Sequence, residues 1–352
     1  MRTIRGPGLM LSQFVADRPP FDSLDGLAGW ASGLGFKAFQ IPVHDRRLID
    51  VERAAGDDVY ARELKARLGG HGIEIAELAA HRAGQLTAVH PACDEMADAF
   101  APPEMRGDRA RRAAWAERQL HAAIEACARL GLARLCTFSG ALLWPYFYPW
   151  PPMPAGLVER GFDELARRWR PILDRAHDAG IDLCFELHPG EDLHDGATFR
   201  RFLDRVDGHA RAKILFDPSH MLLQHMDYLG FIDRFHARIG AFHVKDAEFV
   251  RSAESGVYGG YQDWIDRPGR FRSVGDGQVD FAGIFSRLAA HGYDGWATLE
   301  WECCIKHPED GAREGAAFIR DHIIRVTDRI FDAPLRGAKD PARLDRILGL
   351  NR

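Results

Sequence analysis

Gly180-Ile181-Asp182-Leu183-Cys184-Phe185-Glu186 is the stretch whose reading decides the fold. A glycine closes an amphipathic segment of helical period, a short apolar run follows, and the run stops on a carboxylate. That pattern marks a helix-to-strand junction followed by a buried strand. The same ending recurs downstream: Ile214-Leu215-Phe216 runs into Asp217, Ala241-Phe242 into His243, and Trp296 to Leu299 into Glu300. Four unrelated strands would not normally end in hard-oxygen and imidazole donors. They would if their C-terminal ends converged on one metal ion.

Working outward, short apolar or β-branched runs alternate with helical segments along the whole chain, as in repeated βα units. Strands are expected near Leu9–Phe14, Lys37–Ile41, Ile73–Leu78, Ala133–Phe138, Ile181–Phe185, Ala212–Phe216, Ile239–Val244 and Gly295–Leu299. Helices are expected near Ser23–Leu34, Asp58–Leu68, Gly107–Leu130, Phe162–Ala179, Thr198–Val206, Tyr228–His236, Phe281–His291 and Glu309–Ile330. Eight of each predict an α/β fold, a (β/α)8 barrel over residues 1–330, with Phe331–Arg352 as a short C-terminal extension, peripheral or contacting a partner. Helix–glycine–strand junctions such as Leu34-Gly35, Leu130-Gly131 and His291-Gly292 are short. The strand-to-helix loops after strands 3, 4 and 7 are long, about residues 79–106, 139–161 and 245–279. In such a barrel the long loops build the active face.

The bulk numbers fit this reading. The chain has 352 residues, enough for one large core, with 46% apolar and 28% charged residues and a formal net charge of −5. No global field attracts nucleic acid or an anionic membrane, and no apolar run reaches the length of a membrane span. The N-terminus lacks a secretory apolar run. Six cysteines form no CxxC pair, which suits buried thiols in a reducing compartment. A cytoplasmic protein is expected. Phosphate-loop, dinucleotide-loop and nucleophile-elbow motifs are absent.

Glu186, Asp217, His243 and Glu300 take equivalent places on strands 5 to 8. Three carboxylates and an imidazole suit one divalent cation, Mn²⁺ first, with Mg²⁺, Co²⁺ or Zn²⁺ as alternatives. Such an ion would polarise a carbonyl and stabilise an enediolate as a proton leaves the adjacent carbon. Each residue also has a plain reading, as a helix cap or a hydrogen-bonded structural histidine. Four on consecutive strands weigh against it. Glu302 rivals Glu300, because period two points both to one side. His220, three residues after Asp217, and His188 are candidate substrate contacts. Lys245 would hold a substrate oxyanion or simply pair with Asp246 or Glu300. Gln40, His44, His81 and Ser139 sit at the mouth, His81 as a substrate contact. Trp144 leads an aromatic, proline-rich run to Pro152 that forms either a wall for a sugar ring or aglycone, or a subunit interface. Arg272, just before Gly275-Asp276-Gly277, is the candidate substrate clamp.

The order Glu186 … Asp217-Pro218-Ser219-His220 … His243-Val244-Lys245-Asp246 … Gly275-Asp276-Gly277 … Gly292-Tyr293-Asp294-Gly295-Trp296 … Glu300 resembles the xylose isomerase-like TIM barrels. These include sugar phosphate isomerase/epimerases, ketose 3-epimerases and inosose dehydratase. The resemblance implies that Glu186, Asp217, His243 and Glu300 bind the metal and that His220 touches the substrate. In the epimerases it also makes Glu186 and Glu300 the acid/base pair. The expected function is therefore a metal-dependent isomerase or epimerase of a keto-sugar or keto-polyol. A lyase using the same enolate is the alternative, like inosose dehydratase or the catalytic subunit of C-glycoside deglycosidases, which works with a small partner subunit. A homo-oligomer acting on a small sugar or glycoside is expected. Endonuclease IV belongs to the same superfamily, but the Asp-x-His element it carries after the seventh strand is missing here, and so is a basic groove.

Overall fold

A computed structural model describes residues 3–350; Met1, Arg2, Asn351 and Arg352, the ends of the two expected segments, lie outside it. Eight parallel strands close into a barrel: β1 (Arg5–Met10), β2 (Ala38–Pro42), β3 (Glu74–Ala79), β4 (Arg134–Thr137), β5 (Asp182–Glu186), β6 (Ala212–Phe216), β7 (Ile239–Val244) and, after a separate hairpin, β10 (Trp296–Leu299). Neighbours run β1-β10-β7-β6-β5-β4-β3-β2, so the chain winds once around the ring. The hairpin, β8 (Asp246–Phe249) and β9 (Gly269–Arg272), lies within the long loop after β7 and pairs antiparallel.

The helices are α1 (Leu24–Leu34), α2 (Val51–Gly56), α3 (Asp58–Gly70), α4 (His81–Thr87), α5 (Arg109–Leu130), α6 (Leu157–Ala179), α7 (Gly196–Arg205), α8 (Pro218–Leu223), α9 (Tyr228–Phe235), α10 (Phe281–Ala290), α11 (Pro308–His322), α12 (Ala333–Arg336) and α13 (Pro341–Leu348). Their starts follow capping chemistry. Ser23, Asp108, Asp195 and Asp280 each accept a backbone N–H of the first turn. None of the described helices is long and apolar enough to cross a membrane.

Two cores result. The larger lies between barrel and helices. A smaller one fills the barrel itself and contains Cys136, Cys184, Leu215 and Ala241, one from each of β4 to β7. With a period of two, the next inward residues toward the C-terminal ends of β5, β6 and β7 are Glu186, Asp217 and His243. The apolar plug of the barrel is therefore the floor of the site.

Three expectations shift. β1 is Arg5–Met10 rather than Leu9–Phe14, because Gly6 and Gly8 are strand residues. A Cβ on Gly8 would stand 2.9 Å from Thr298 Oγ1, so glycine allows β1 to pack close to β10. The last helix stops at His322, not Ile330. Its buried face is Gly311, Ala312, Gly315, Ala316 and Ile319, and beyond it Ile324 and Ile330 are exposed, so a longer helix would have had nothing to cover. Short helices α2, α4 and α8 occupy stretches read as loops. The extension from Phe331 onward carries α12 and α13 with exposed Leu335, Leu344, Ile347 and Leu348.

Candidate metal centre

Asp217 shows how local sequence builds the centre. It caps α8, with Pro218 at the first helical position. Its Oδ1 accepts from the Ser219 backbone N at 2.8 Å and from Ser219 Oγ at 2.6 Å. Oδ2 is left buried without a hydrogen-bond partner. The single turn of α8 then carries His220 back over β5, where its Nε2 lies 3.2 Å from Glu186 Oε1. His81, at the start of α4, approaches the other oxygen of the same carboxylate, with Nε2 3.0 Å from Oε2.

On the opposite side, His243 Nδ1 lies 2.8 Å from Glu300 Oε2 and 3.9 Å from Glu186 Oε1. It too is buried without a properly aligned hydrogen bond. Glu300 also accepts from Gln13 Nε2 at 3.1 Å and from Lys245 Nζ at 3.3 Å. One ligand atom each from Glu186, Asp217, His243 and Glu300 fall within 4.8 Å of one another. Two buried donors that point into one spot and lack a partner, beside two more carboxylates, fit a cation. The donor set, three hard oxygens and one imidazole nitrogen, fits a hard or borderline divalent ion.

The electrostatics agree. Burial pushes Glu186 up, but hydrogen bonds from His220 and His81 and the charge of His243 outweigh it and hold the carboxyl well below its usual range. Glu300 is lowered too, burial being overcome by Lys245 and His243. Asp217 has fewer compensating neighbours and is pushed up to about 8 by burial, with Lys245 opposing and Glu186 and Glu300 adding to the rise. Burial lowers His243, yet Glu300, Glu186 and Asp217 together carry it up to about 9. His220 falls to about 3, through burial and the neighbouring His188 and Lys245. It is a neutral imidazole at physiological pH.

The expected site residues divide. Glu186, Asp217, His243 and Glu300 come together, and His220, His81 and Lys245 join them. His188 lies beside His220, ring centroids 4.0 Å apart and planes tilted by 57°, and its Nδ1 is 2.5 Å from the Pro189 carbonyl. Glu302 stays outside the four, bound to Lys245 at 2.7 Å. Trp144 is placed in the loop after β4, stacked on Phe147 at 4.7 Å and edge-on to His194 at 5.2 Å, with no contact to the four-residue cluster. Arg272, the candidate substrate clamp, sits in β9 with Nη1 2.6 Å from Glu248 Oε2, and the same carboxylate takes Arg270. Asp246, offered as a partner of Lys245, instead accepts the backbone N–H groups of Gly275, Gly277 and Val279, which ties the loop after β9 to the start of β8.

Several participants were missed. Glu77 on β3 is fully buried and pushed up to about 7 by burial. Its signal was a carboxylate within an apolar run, in step with Ile75 and Ala79. Phe271 on β9 closes the site on one side, edge-on to His220 at 5.3 Å and beneath the Lys245 ammonium at 4.3 Å. Asp192 anchors the aromatic loop by accepting from the backbone N of Leu142, Leu143 and Trp144. No local pattern announced that.

Comparisons with known proteins agree with the architecture. The family model described as xylose isomerase-like TIM barrel matches residues 28–322. Among curated relatives, inosose dehydratase of Lacticaseibacillus casei is 28% identical over 146 residues, 40% of this chain and 47% of its own. The chain thus spans about half the length of the curated relatives it matches. Among solved structures, a 3-keto-D-glucoside 4-epimerase from E. coli superposes with a TM-score of 0.62 at 16% identity, over 91% of this chain and 100% of that one. An L-ribulose 3-epimerase gives 0.59 at 18%, over 92% and 94%. At these identities the structures speak for the fold. With its barrel closed, its four donors on consecutive strands and the family model covering most of its length, the chain belongs to the xylose isomerase-like TIM barrel family.

Proposed function

We propose that this protein is a divalent-metal-dependent enzyme that removes a proton next to the carbonyl of a keto-sugar or keto-polyol. The proton returns on the same or the adjacent carbon, giving an epimer or isomer. The observation that carries the reading is the set of four buried donors within 4.8 Å, two of them without hydrogen-bond partners. Glu186, Asp217, His243 and Glu300 would hold the ion, Mn²⁺ being the preferred candidate. A divalent ion there supplies Lewis acidity toward a carbonyl and an adjacent oxygen.

The chain's own groups account for the remainder. Glu186 and Glu300 are both held ionised, so either carboxylate can take a proton from a carbon placed between them, and the carboxyl that took it can return it. Return from the opposite glutamate requires that it first take up a proton from a substrate hydroxyl or water. His81 and His220 clamp the two oxygens of Glu186 and fix the plane of its carboxylate. His220, neutral and with its one N–H given to Glu186, keeps its other ring nitrogen as an acceptor for a substrate hydroxyl. Lys245, fully buried and kept charged by its carboxylate neighbours, would hold the oxyanion of an enediolate. His81 and His188 complete the polar lining, and Trp144 would wall the outer part of the substrate.

A lyase that uses the same carbanion is the second reading, favoured by the dehydratase names of the curated relatives. It differs in one step, the loss of a leaving group instead of reprotonation. The test is metal-dependent exchange of the substrate's α-proton in deuterated water across ketoses, inososes and 3-keto glycosides. Product mass separates the two readings, since epimers are isobaric and elimination loses water or an aglycone. Exchange that ignores added metal, or none with any of these substrates, overturns both.

A further inference from the structure

His243 has two ring nitrogens, and only one of them can face the centre. Nδ1 is the one beside Glu300 and Glu186. Nε2 points down into the barrel, where it meets Gln40 Oε1 at 3.0 Å. An amide oxygen only accepts, so this contact requires a proton on Nε2 and makes Nδ1 the nitrogen that would shed its proton and give its lone pair to the ion.

The arrangement depends on which way the Gln40 amide is turned. Turned over, its NH2 would face Nε2, and the ring proton would sit on Nδ1, where a cation belongs. Two features on the floor oppose that flip. Gln40 Nε2 lies 3.4 Å from Cys136 Sγ, a weak acceptor on β4. Glu77 stands opposite Gln40 in the β2–β3 register, fully buried, with neither carboxyl oxygen otherwise hydrogen-bonded. The NH2 end of the amide is thus flanked by groups that accept, and the oxygen end by a ring N–H that donates. Gln40 is itself completely buried, so water does not compete for either end.

We infer that Gln40, oriented by Glu77 opposite it, is a positioning residue for the metal ligand His243: it holds the ring in the Nε2–H tautomer and aims Nδ1 at the ion. This rests on the metal-binding reading above. It goes beyond that reading by assigning a role to the polar floor, which the proton-transfer chemistry leaves unused. A hydrogen-bond partner behind a histidine ligand raises its basicity and fixes its rotation, and losing such a partner typically costs about 10- to 100-fold in metal affinity.

The experiment is calorimetric titration of the full chain with Mn²⁺ alone, for the wild type, Gln40→Leu and Gln40→Glu, with melting curves recorded on each metal-free protein. Gln40→Leu removes the acceptor and is expected to weaken Mn²⁺ binding by about 10- to 100-fold; Gln40→Glu keeps an acceptor oxygen and should stay within about threefold of the wild type. Proton–nitrogen correlation spectra of the Zn²⁺-loaded wild type should show His243 protonated at Nε2, and Glu77→Leu, which frees the Gln40 amide to turn over, should weaken Mn²⁺ binding toward the Gln40→Leu value. A folded Gln40→Leu that binds Mn²⁺ as tightly as the wild type overturns the inference while leaving the metal centre standing. If Gln40→Leu does not fold, the wild-type spectrum decides, and a proton on Nδ1 overturns it. A wild type that binds no Mn²⁺ removes both readings.

Discussion

The ammonium of Lys245 lies 2.7 Å from the carboxylate of Glu302 and, on its other side, 3.3 Å from that of Glu300. This one relationship separates two glutamates between which the sequence favours Glu300 only by its place at the end of the apolar run. β10 ends at Leu299, and the next two alternate residues both turn toward the barrel axis. Glu300 is nearly buried and reaches His243, whereas Glu302 is partly exposed and reaches only as far as the lysine. Lys245 is also 3.9 Å from Asp217 Oδ2, so a buried cation stands among three acids.

Removing that cation should therefore be costly. Lys245→Met takes the ammonium from beside Glu300 and Asp217 and leaves His243 as the cationic neighbour of Glu300, and we expect a loss of about 3–5 kcal/mol in urea unfolding of the metal-free protein. Saturating Mn²⁺ should restore part of it, because the ion supplies positive charge beside the same carboxylates. An unchanged midpoint would contradict the electrostatic role given to this lysine.

Metal should stabilise the fold, and Asp217 should be needed for it. Asp217 Oδ2 has no other hydrogen-bond partner, while Oδ1 is used in capping α8. At about 100 times its Kd, an ion that binds the native state adds about 2.7 kcal/mol. Scanning calorimetry with and without Mn²⁺ should show an upward shift in the wild type and none in Asp217→Ala. A shift that persists in the variant would place the ion elsewhere.

Glu191 offers a pH test away from the ligands. Burial raises it from 4.5 to about 8, against hydrogen bonds from the Gly140 backbone N and Ser139 Oγ. The native state then keeps a proton that the unfolded chain has lost, so this group makes stability fall as pH rises from 4.5 toward 8. Glu191→Gln cannot ionise. Its stability profile between pH 5 and pH 8 should be flatter than the wild type's by up to about 1.4 kcal/mol per pH unit. Parallel profiles would mean that the carboxyl is ionised in the folded protein.

The aromatic loop should depend on Asp192. Its two oxygens accept three consecutive backbone N–H groups, from Leu142 to Trp144, at 2.7 to 3.0 Å. Bonds of this kind, to a carboxylate, are worth about 1.5–3 kcal/mol each when neutral donors would otherwise be left unpaired. Asp192→Ala should leave metal affinity nearly unchanged but open residues 141–156 to limited proteolysis. Proteolysis at the wild-type rate would show that aromatic stacking of Trp144 on Phe147 is enough to hold the loop.

The extension is expected to be dispensable for the barrel. From Phe331 onward the described residues are almost all exposed, including Leu335, Ile347 and Leu348. Truncation after Ile330 should change unfolding free energy by less than about 1 kcal/mol and leave Mn²⁺ binding intact. A larger loss, or a change in oligomeric state on truncation, would assign the extension a packing partner.

What the sequence determined by itself is the repeat of strand and helix, the face on which the long loops gather, and the four donors at the ends of strands 5 to 8. These are local signals: apolar runs of strand length, a glycine after several of the helices, and an acid or imidazole where the last four runs stop. Where glycine served packing instead of a turn, as at Gly6 and Gly8 in β1, the local reading slipped, because the reason lies in distant chain, Ile323 and Ala297 for Gly6 and Thr298 for Gly8. Tertiary structure decided the rest. It put Glu300 and not Glu302 beside His243, paired Arg272 with Glu248, and brought His81, at the start of α4, onto a carboxylate of β5. It also turned Gln40 from a residue at the mouth into the acceptor beneath His243. Partners of this kind are separated by tens to hundreds of residues, and barrel closure alone sets their distances. A sequence carries the period of each strand, but the register between strands appears only when the ring is shut.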